Sequence, residues 1–428
     1  MKKIILLFLI LFSINVSAEE IVTVSSKVEL NNENLSSETI NKSALYVKDG
    51  DLLINNSQIN KTGDGTFDNS NDFLNSAVTI YEKSKLSMNS CNIDTNGTYS
   101  NGLLLEKDSR INIKQTKITT NNNYSIGIVN NDANTILDNV TVETNALHSP
   151  ALRAYNNKLE IINSNIITNE EGSPLLQVNG NVTIKDSTLK SLKSEGFLII
   201  KNSDILLDNV KMEINNLLPS NIDNNYKSFM FYTPNSDSTD YKVNFSSKNS
   251  NLNSLNGDTF NILNINADIN LENSEITNQN GVFLRGEKLV DDGKTYEINL
   301  NLNKQNINGD IILDETKNLK LDLKNSTFNG TINNDKKANN VDIILSKDSK
   351  LILTKDIYVN SLTNEDYENS NIELNGYNLY INNELLSTDN IIKMGYQDET
   401  FYLVLVTLIG IVLGFSIVYI INRFKMAK

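Results

Sequence analysis

Any chemistry in this chain must be done with few tools. Its 428 residues include one histidine, His148, one cysteine, Cys91, and no tryptophan. Arginine occurs at Arg110, Arg153 and Arg285, and then only in the C-terminal tail at Arg423. One cysteine allows neither an intrachain disulfide nor a thiolate metal cluster within the chain. His148 sits in the turn-like stretch ALHSPALRA, where a solvated turn residue is expected rather than a base. Two stretches are richer. TGDGTFDNSND, residues 62–72, carries Asp64, Asp68 and Asp72 beside Asn69 and Asn71. Oxygen ligands at that density suit Ca²⁺, although the EF-hand spacing and a closing Glu are missing; a solvated insertion is the alternative. Residues 217–241 carry the densest aromatic group, Tyr226, Phe229, Phe231, Tyr232 and Tyr241. Aromatic faces stack on sugar rings, which makes Tyr226, Phe229, Tyr232 and Tyr241 the candidate ligand-binding residues. The plainer alternative is that SFMFY is a strand with its rings turned inward.

The elements that would position these residues recur. An eight-residue frame of apolar, any, apolar, polar, Asn or Asp, small, polar, apolar ends at Ile59, Ile93, Ile118, Val142, Ile166, Leu189 and Met212. It returns at Ile276, Ile307 and Phe328, and a degenerate copy ends at Leu252. The spacings are 34, 25, 24, 24, 23, 23, 64, 31 and 21 residues. Apolar runs such as AVTI, GLLL, ALRA and FLII lie between the frames, so each period holds at least two short strands. A period near 23 with short strands and no helix predicts one turn of a parallel β-helix. Leucine-rich repeats have similar length, but their signature is absent. About 13 coils at ~4.8 Å per coil predict an all-β rod of roughly 60 Å. Asparagine supplies 73 residues. Asn139, Asn163, Asn209, Asn273 and Asn325 share one turn position, where left-handed backbone and a ladder of stacked amides are expected. Residues 19–40 lack the frame and are expected to cap the first coil, with the helix running over 41–385.

The ends carry different signals. MKKIILLFLILFSINVSA, residues 1–18, reads as a basic and then apolar signal peptide with a small-residue cleavage site. Residues 401–421 are uncharged and, at ~1.5 Å per residue, span about one hydrocarbon core. Basic residues follow at Arg423, Lys425 and Lys428, which predicts a C-terminus inside and residues 19–400 outside, with 386–400 as a juxtamembrane linker. Gly410 and Gly414 form a G-x-x-x-G pair that offers self-association of such helices. Removing the five basic residues of the two ends leaves 33 against 52 acids, or −19, on the outer portion. A surface of that sign disfavours nucleic acid as a partner.

The run SALYVKDGDLLINNSQINKTGDGTFDNSNDF, residues 43–73, with SPALRA, GVFLR and the closing SLTNEDYENSNIELNGYNLYINNE, resembles adhesin-like right-handed β-helix proteins of bacterial and archaeal cell surfaces. The resemblance spans most of residues 40–385. It implies a pectin-lyase-like fold and a cell-surface location, and little about biochemistry; for a binding rod the partner expected is a cell-surface glycan or protein. That fold also hosts polysaccharide lyases and hydrolases, which need clustered carboxylates with a basic residue. No such constellation, no G-H-G motif and no cofactor motif is found, so an adhesin-like binding or display rod is expected. A polysaccharide-acting enzyme and a structural envelope component are the alternatives.

Overall fold

The frame turns a sharp corner once per coil. In twelve successive coils, from Asn32 to Asn325, the residue at that corner is left-handed, with φ between +45° and +59°. Asn fills eight of these corners (32, 56, 139, 163, 209, 249, 273 and 325), because its short amide tolerates a conformation that costs other L-residues about 1–2 kcal/mol. The computed structural model describes residues 21–66, 74–215, 227–233 and 240–386, and these wind into a right-handed parallel β-solenoid of about 14 turns.

Each regular coil holds three strands. One coil runs through Asn101–Leu105, Arg110–Lys114 and Lys117–Thr120. First and second strands fuse at Leu152–Ile162 and Leu176–Lys185, so the first two faces form one 24-stranded sheet. Third strands form sheets of ten and then four strands. The frame ends predicted from sequence are register partners. Ile59 pairs with Ile93, then Ile118, Val142, Ile166, Leu189, Met212, Leu252 and Ile276 in succession, and Ile307 pairs with Phe328.

Like stacks on like inside. Leu137, Ile161, Ile184 and Leu207 are successive partners and all fully buried. The six-phenylalanine group Phe197, Phe229, Phe231, Phe245, Phe260 and Phe283 fills the middle of the rod, with ring centroids 4.6–6.0 Å apart, mostly edge to face.

The ladder of buried hydrogen bonds falls one residue past the expected place. The small frame residue after the left-handed corner is Ser in six of the twelve coils, and its hydroxyl lies inside. Ser164 Oγ accepts the Val140 N–H at 3.0 Å and donates to the Ile162 carbonyl at 2.6 Å. Ser187 accepts from Ser164 N at 3.0 Å, and Ser250 accepts from Val210 N at 3.0 Å. Ser274 accepts from Ser250 N at 3.3 Å, and Ser326 from Gln305 N at 2.9 Å. Corner amides that face the interior are thereby satisfied. Asn amides at the corner link only in part, as Asn273 to Asn249 at 2.8 Å and Asn209 to Asp186 at 2.6 Å.

One expectation about the ends changes. Of the expected cap 19–40, the described residues 21–40 form a coil of the solenoid, because Val22–Val24, Lys27–Asn31 and Asn34–Ser37 pair in parallel with the next coil as a full turn. Val28, Leu30 and Leu35 keep the apolar spacing, with Glu33 where the frame has a small residue. This coil accounts for the step from about 13 turns to about 14. At the other end Leu379–Ile381 turns back antiparallel onto Glu384–Leu385 through Asn382 and Asn383, both left-handed, so a hairpin ends the first face. Among the described residues no helix is long and apolar enough to cross a membrane. The expected signal segment 1–18, all of the linker 386–400 but Leu386, and the span 401–421, with Gly410 and Gly414, lie outside the described residues.

Candidate functional site

The outer face of the first strands is unlike the rest of the surface. Register aligns Arg153, Gln177, Leu198, Met230, Asn261 and Arg285 in one column. Beside it run Ile200, Tyr232, Leu263 and Glu287, with Tyr155 two rungs before Ile200. Leu198, Ile200, Met230 and Tyr232 are half-buried, and Leu263 is buried although it points outward. Alternation places them outside the barrel, so they form a shallow apolar floor rather than core. Arg153 bounds the floor at one end, its Nε donating to Gln177 Oε1 at 2.7 Å. Burial, and then the neighbouring Tyr155 and Glu195, push the Tyr232 phenol above its ordinary range.

The other end is closed by charges. Asp258 is fully buried and both its oxygens are engaged. Oδ2 accepts from Arg285 Nε at 2.7 Å and lies 3.9 Å from Lys227 Nζ, while Oδ1 accepts from Asn280 Nδ2 at 2.8 Å. Burial pulls the Lys227 ammonium below its ordinary pKa, against the raising field of Asp258. Burial also opposes the Arg285 charge, but the Asp258 hydrogen bond and field outweigh it and leave Arg285 raised. Asn261 Nδ2 donates to Glu287 Oε1 at 3.1 Å beside them. Asp258 belongs to the turn before Phe260–Leu263, and Lys227 directly follows residues 216–226. The pair therefore pins the return of that insertion onto the rod.

The aromatic candidates divide. Phe229 is 0 % exposed and faces the core, so its ring is not available to a ligand, and Phe231 is buried likewise. On the strand Phe229–Tyr232, alternation leaves Met230 and Tyr232 outward. Tyr241 packs against the core, with Lys201 Nζ 5.3 Å from its ring centre. Tyr226 lies outside the described residues. Lys227, Asp258 and Glu195 carry no signal in the sequence that marks them for a site. Asp258 sits in an ordinary-looking NGD turn, and only the rung count brings it under Arg285.

The acidic loop is also only partly in view, since Asp68 and Asp72 lie outside the described residues. Asp64 Oδ1 accepts the Thr98 N–H at 2.7 Å, a role within the fold. Beneath this loop Lys61 is fully buried where neighbouring coils have Ser or Thr, and its Nζ donates to the carbonyls of Thr39 at 2.9 Å and Gly63 at 3.1 Å. A protein cation thus holds carbonyl oxygens of the kind that calcium would seek. Among the described residues no group of three or more His, Cys, Asp or Glu is arranged to hold a metal. His148 is an exposed turn residue, left-handed at φ +55°, with its ring 5.2 Å from Tyr124, which stacks in turn on Tyr99 at 4.7 Å.

Residues 76–239 match the family described as right handed beta helix region. No curated protein matches the chain. By its winding and by that match, the chain is a right-handed parallel β-helix protein, consistent with the pectin-lyase-like group.

Proposed function

We propose that this protein is an adhesin-like binding rod displayed on a cell surface, anchored by residues 401–421 and carrying its ligand site on the outer face of the first strands. The supporting observation is the apolar floor of Leu198, Ile200, Met230 and Tyr232, walled by Arg153 at one end and by Lys227 and Arg285 at the other. An apolar floor with a few convergent polar groups is the usual build of a small-ligand or glycan site. The floor lies at the coil where 40 residues, from Met212 to Leu252, replace the usual 23 to 25. A binding loop inserted into a rigid scaffold is the common way to add recognition to a solenoid.

A polysaccharide-acting enzyme is the second reading, favoured by the Asp258–Arg285 set and by the lowered pKa of Lys227. Against it, Asp258 is fully buried with both oxygens occupied, so it reaches no substrate. Glycan and matrix-protein arrays probed with the full-length chain in detergent, wild type and Tyr232→Ala, test the first reading. Loss of the bound signal in Tyr232→Ala is expected, and unchanged binding refutes the site. Release of shorter fragments from any bound glycan, abolished by Lys227→Met, would replace the binding reading with the enzyme.

A further inference from the structure

The second strands put alternate side chains on one outward face, and its register is unbroken from Lys27–Asn31 to Ser361–Asn364. One column of this face is antisymmetric in charge about Asn181. One rung to either side stand Lys158 and Asp204. Two rungs away are Asn134 and Asn244, and three rungs away Arg110 and Asp268. At four rungs Lys85 answers to Asn299, at five Asp51 to Lys320, and at six Lys27 to Asp342. Opposite charges meet at four of the six steps, and like charges at none. The column on the other edge of the face behaves the same way about Lys185. Asp138 and Lys248 lie two rungs away, and Lys114 and Glu272 three.

From this pattern we propose that the second face is a self-association surface on which two copies of the chain pack antiparallel about a twofold axis through Asn181. A twofold axis lying in the face and across the rods brings each residue n rungs before Asn181 onto the partner copy's residue n rungs after it. Isologous contacts require a patch that complements itself in this way. Each opposite-charge step then occurs twice in the dimer. The parallel alternative fails on the same residues. It would set one edge column against the other at equal height, opposing Arg110 to Lys114, Asp204 to Asp208, Asp268 to Glu272 and Lys320 to Lys324. The one like-charge contact in the antiparallel dimer is Lys185 on the axis, and Glu160 lies 3.8 Å from its own ammonium.

The face has room and contact area for this. A groove of 580 Å³ runs across Arg110, Ile136 and Lys158, and elsewhere on the same face Leu53 is 37 % exposed, beside 40 % for Ile136. Neither Arg110 nor Lys158 has an ion-pair partner among the described residues, whereas Asp268 holds Lys242 at 2.5 Å and Asp204 holds Asn244 at 2.7 Å. Twelve rung steps of ~4.8 Å by five strand residues of ~3.3 Å give about 950 Å² per copy, or roughly 1,900 Å² in all, a standard-size interface. Antiparallel packing puts the two C-termini at opposite ends of the pair. With each chain anchored as in the proposed function, the contact would join two facing surfaces, and this last step alone rests on that reading.

The test uses the full-length chain in detergent micelles at low salt, made in a host that does not glycosylate asparagine. A dimer that weakens with salt is expected. Gly410→Leu/Gly414→Leu, which removes association through the expected span, should leave it intact. Asn181→Cys should form a disulfide-linked dimer on oxidation. Asn134→Cys should cross-link with Asn244→Cys in a mixture and not with itself. Arg110→Glu and Asp268→Arg should each weaken the dimer by about tenfold or more, and the double variant should restore it. A monomeric wild type, an Asn181→Cys chain that does not cross-link, or a double variant no tighter than the singles would overturn the proposal. Vesicles carrying the chain should cluster. A dimer that forms in micelles without such clustering leaves the interface standing and removes the surface-anchored reading.

Discussion

Lys317 should make this protein less stable at neutral pH than it would be without its charge. The residue is fully buried on the inward side of Lys317–Lys324, where the following inward positions are Leu319, Leu321 and Leu323. Its Nζ donates to Thr316 Oγ1 at 2.8 Å and lies 4.7 Å from the centre of the Tyr296 ring. Gly286 makes room for the stem, since a Cβ there would come 2.9 Å from Lys317 Cγ. One hydrogen bond and one ring face do not replace the water that an ammonium loses, and burial pulls the pKa from 10.5 to about 8. Below pH 8 both folded and unfolded chains hold the proton, and the cost of burying it is fully present. Between pH 8 and about 10.5 the unfolded chain binds a proton that the folded chain has released, so stability rises with pH. The difference of 10.5 − 8 corresponds to about 3 kcal/mol at neutral pH, as an upper figure. Lys317→Met keeps the stem and removes the charge. Denaturant unfolding of wild type and variant at pH 7, 8, 9 and 10 is the assay, because groups common to both chains cancel in the difference. The variant should be the more stable at pH 7, by about 1–3 kcal/mol, and its advantage should shrink toward pH 10. A variant less stable at pH 7, or an advantage independent of pH, would show that the ammonium is well solvated in the fold and that the reasoning is wrong.

Two further substitutions test other parts of the rod. Ser164→Ala removes the acceptor of the Val140 N–H, leaving that amide buried and unpaired. A loss of about 1–3 kcal/mol is expected, with faster hydrogen exchange at Val140, and unchanged exchange there would refute the hydroxyl ladder. Asp258→Asn strips the carboxylate from Lys227 and Arg285 and should cost about 3–5 kcal/mol in unfolding experiments. Asp258→Leu combined with Arg285→Met should cost less than the single change, which would fail if the cluster only filled space.

Much of the rod is legible in residue order, because two of its rules are local. Side chains alternate in and out with a period of two, and a tight corner wants Asn, so the frame marks both the inward positions and the turn at each pass. That is why residue order alone puts Ile59, Ile93, Ile118 and the later frame ends in register. The first coil escapes the frame because Glu33 stands where a small residue is expected, although Val28, Leu30 and Leu35 keep the apolar spacing. The buried hydroxyl ladder escapes it too, because a small residue reads as space, whereas its Oγ accepts an amide of the preceding coil.

The candidate site is less legible. Composition picks out an aromatic segment, and alternation within Phe229–Tyr232 then sends Phe229 inward and Tyr232 outward. What sequence alone determined was the solenoid, its period and most of its register, since each coil repeats the same short-range pattern. What only the tertiary structure decided was which charges share a face. Asp258 meets Arg285 and Lys227, and the second face acquires its antisymmetry about Asn181, across insertions of unequal length. Contacts between rungs depend on how many residues the chain spends in every intervening turn, and no local pattern carries that count.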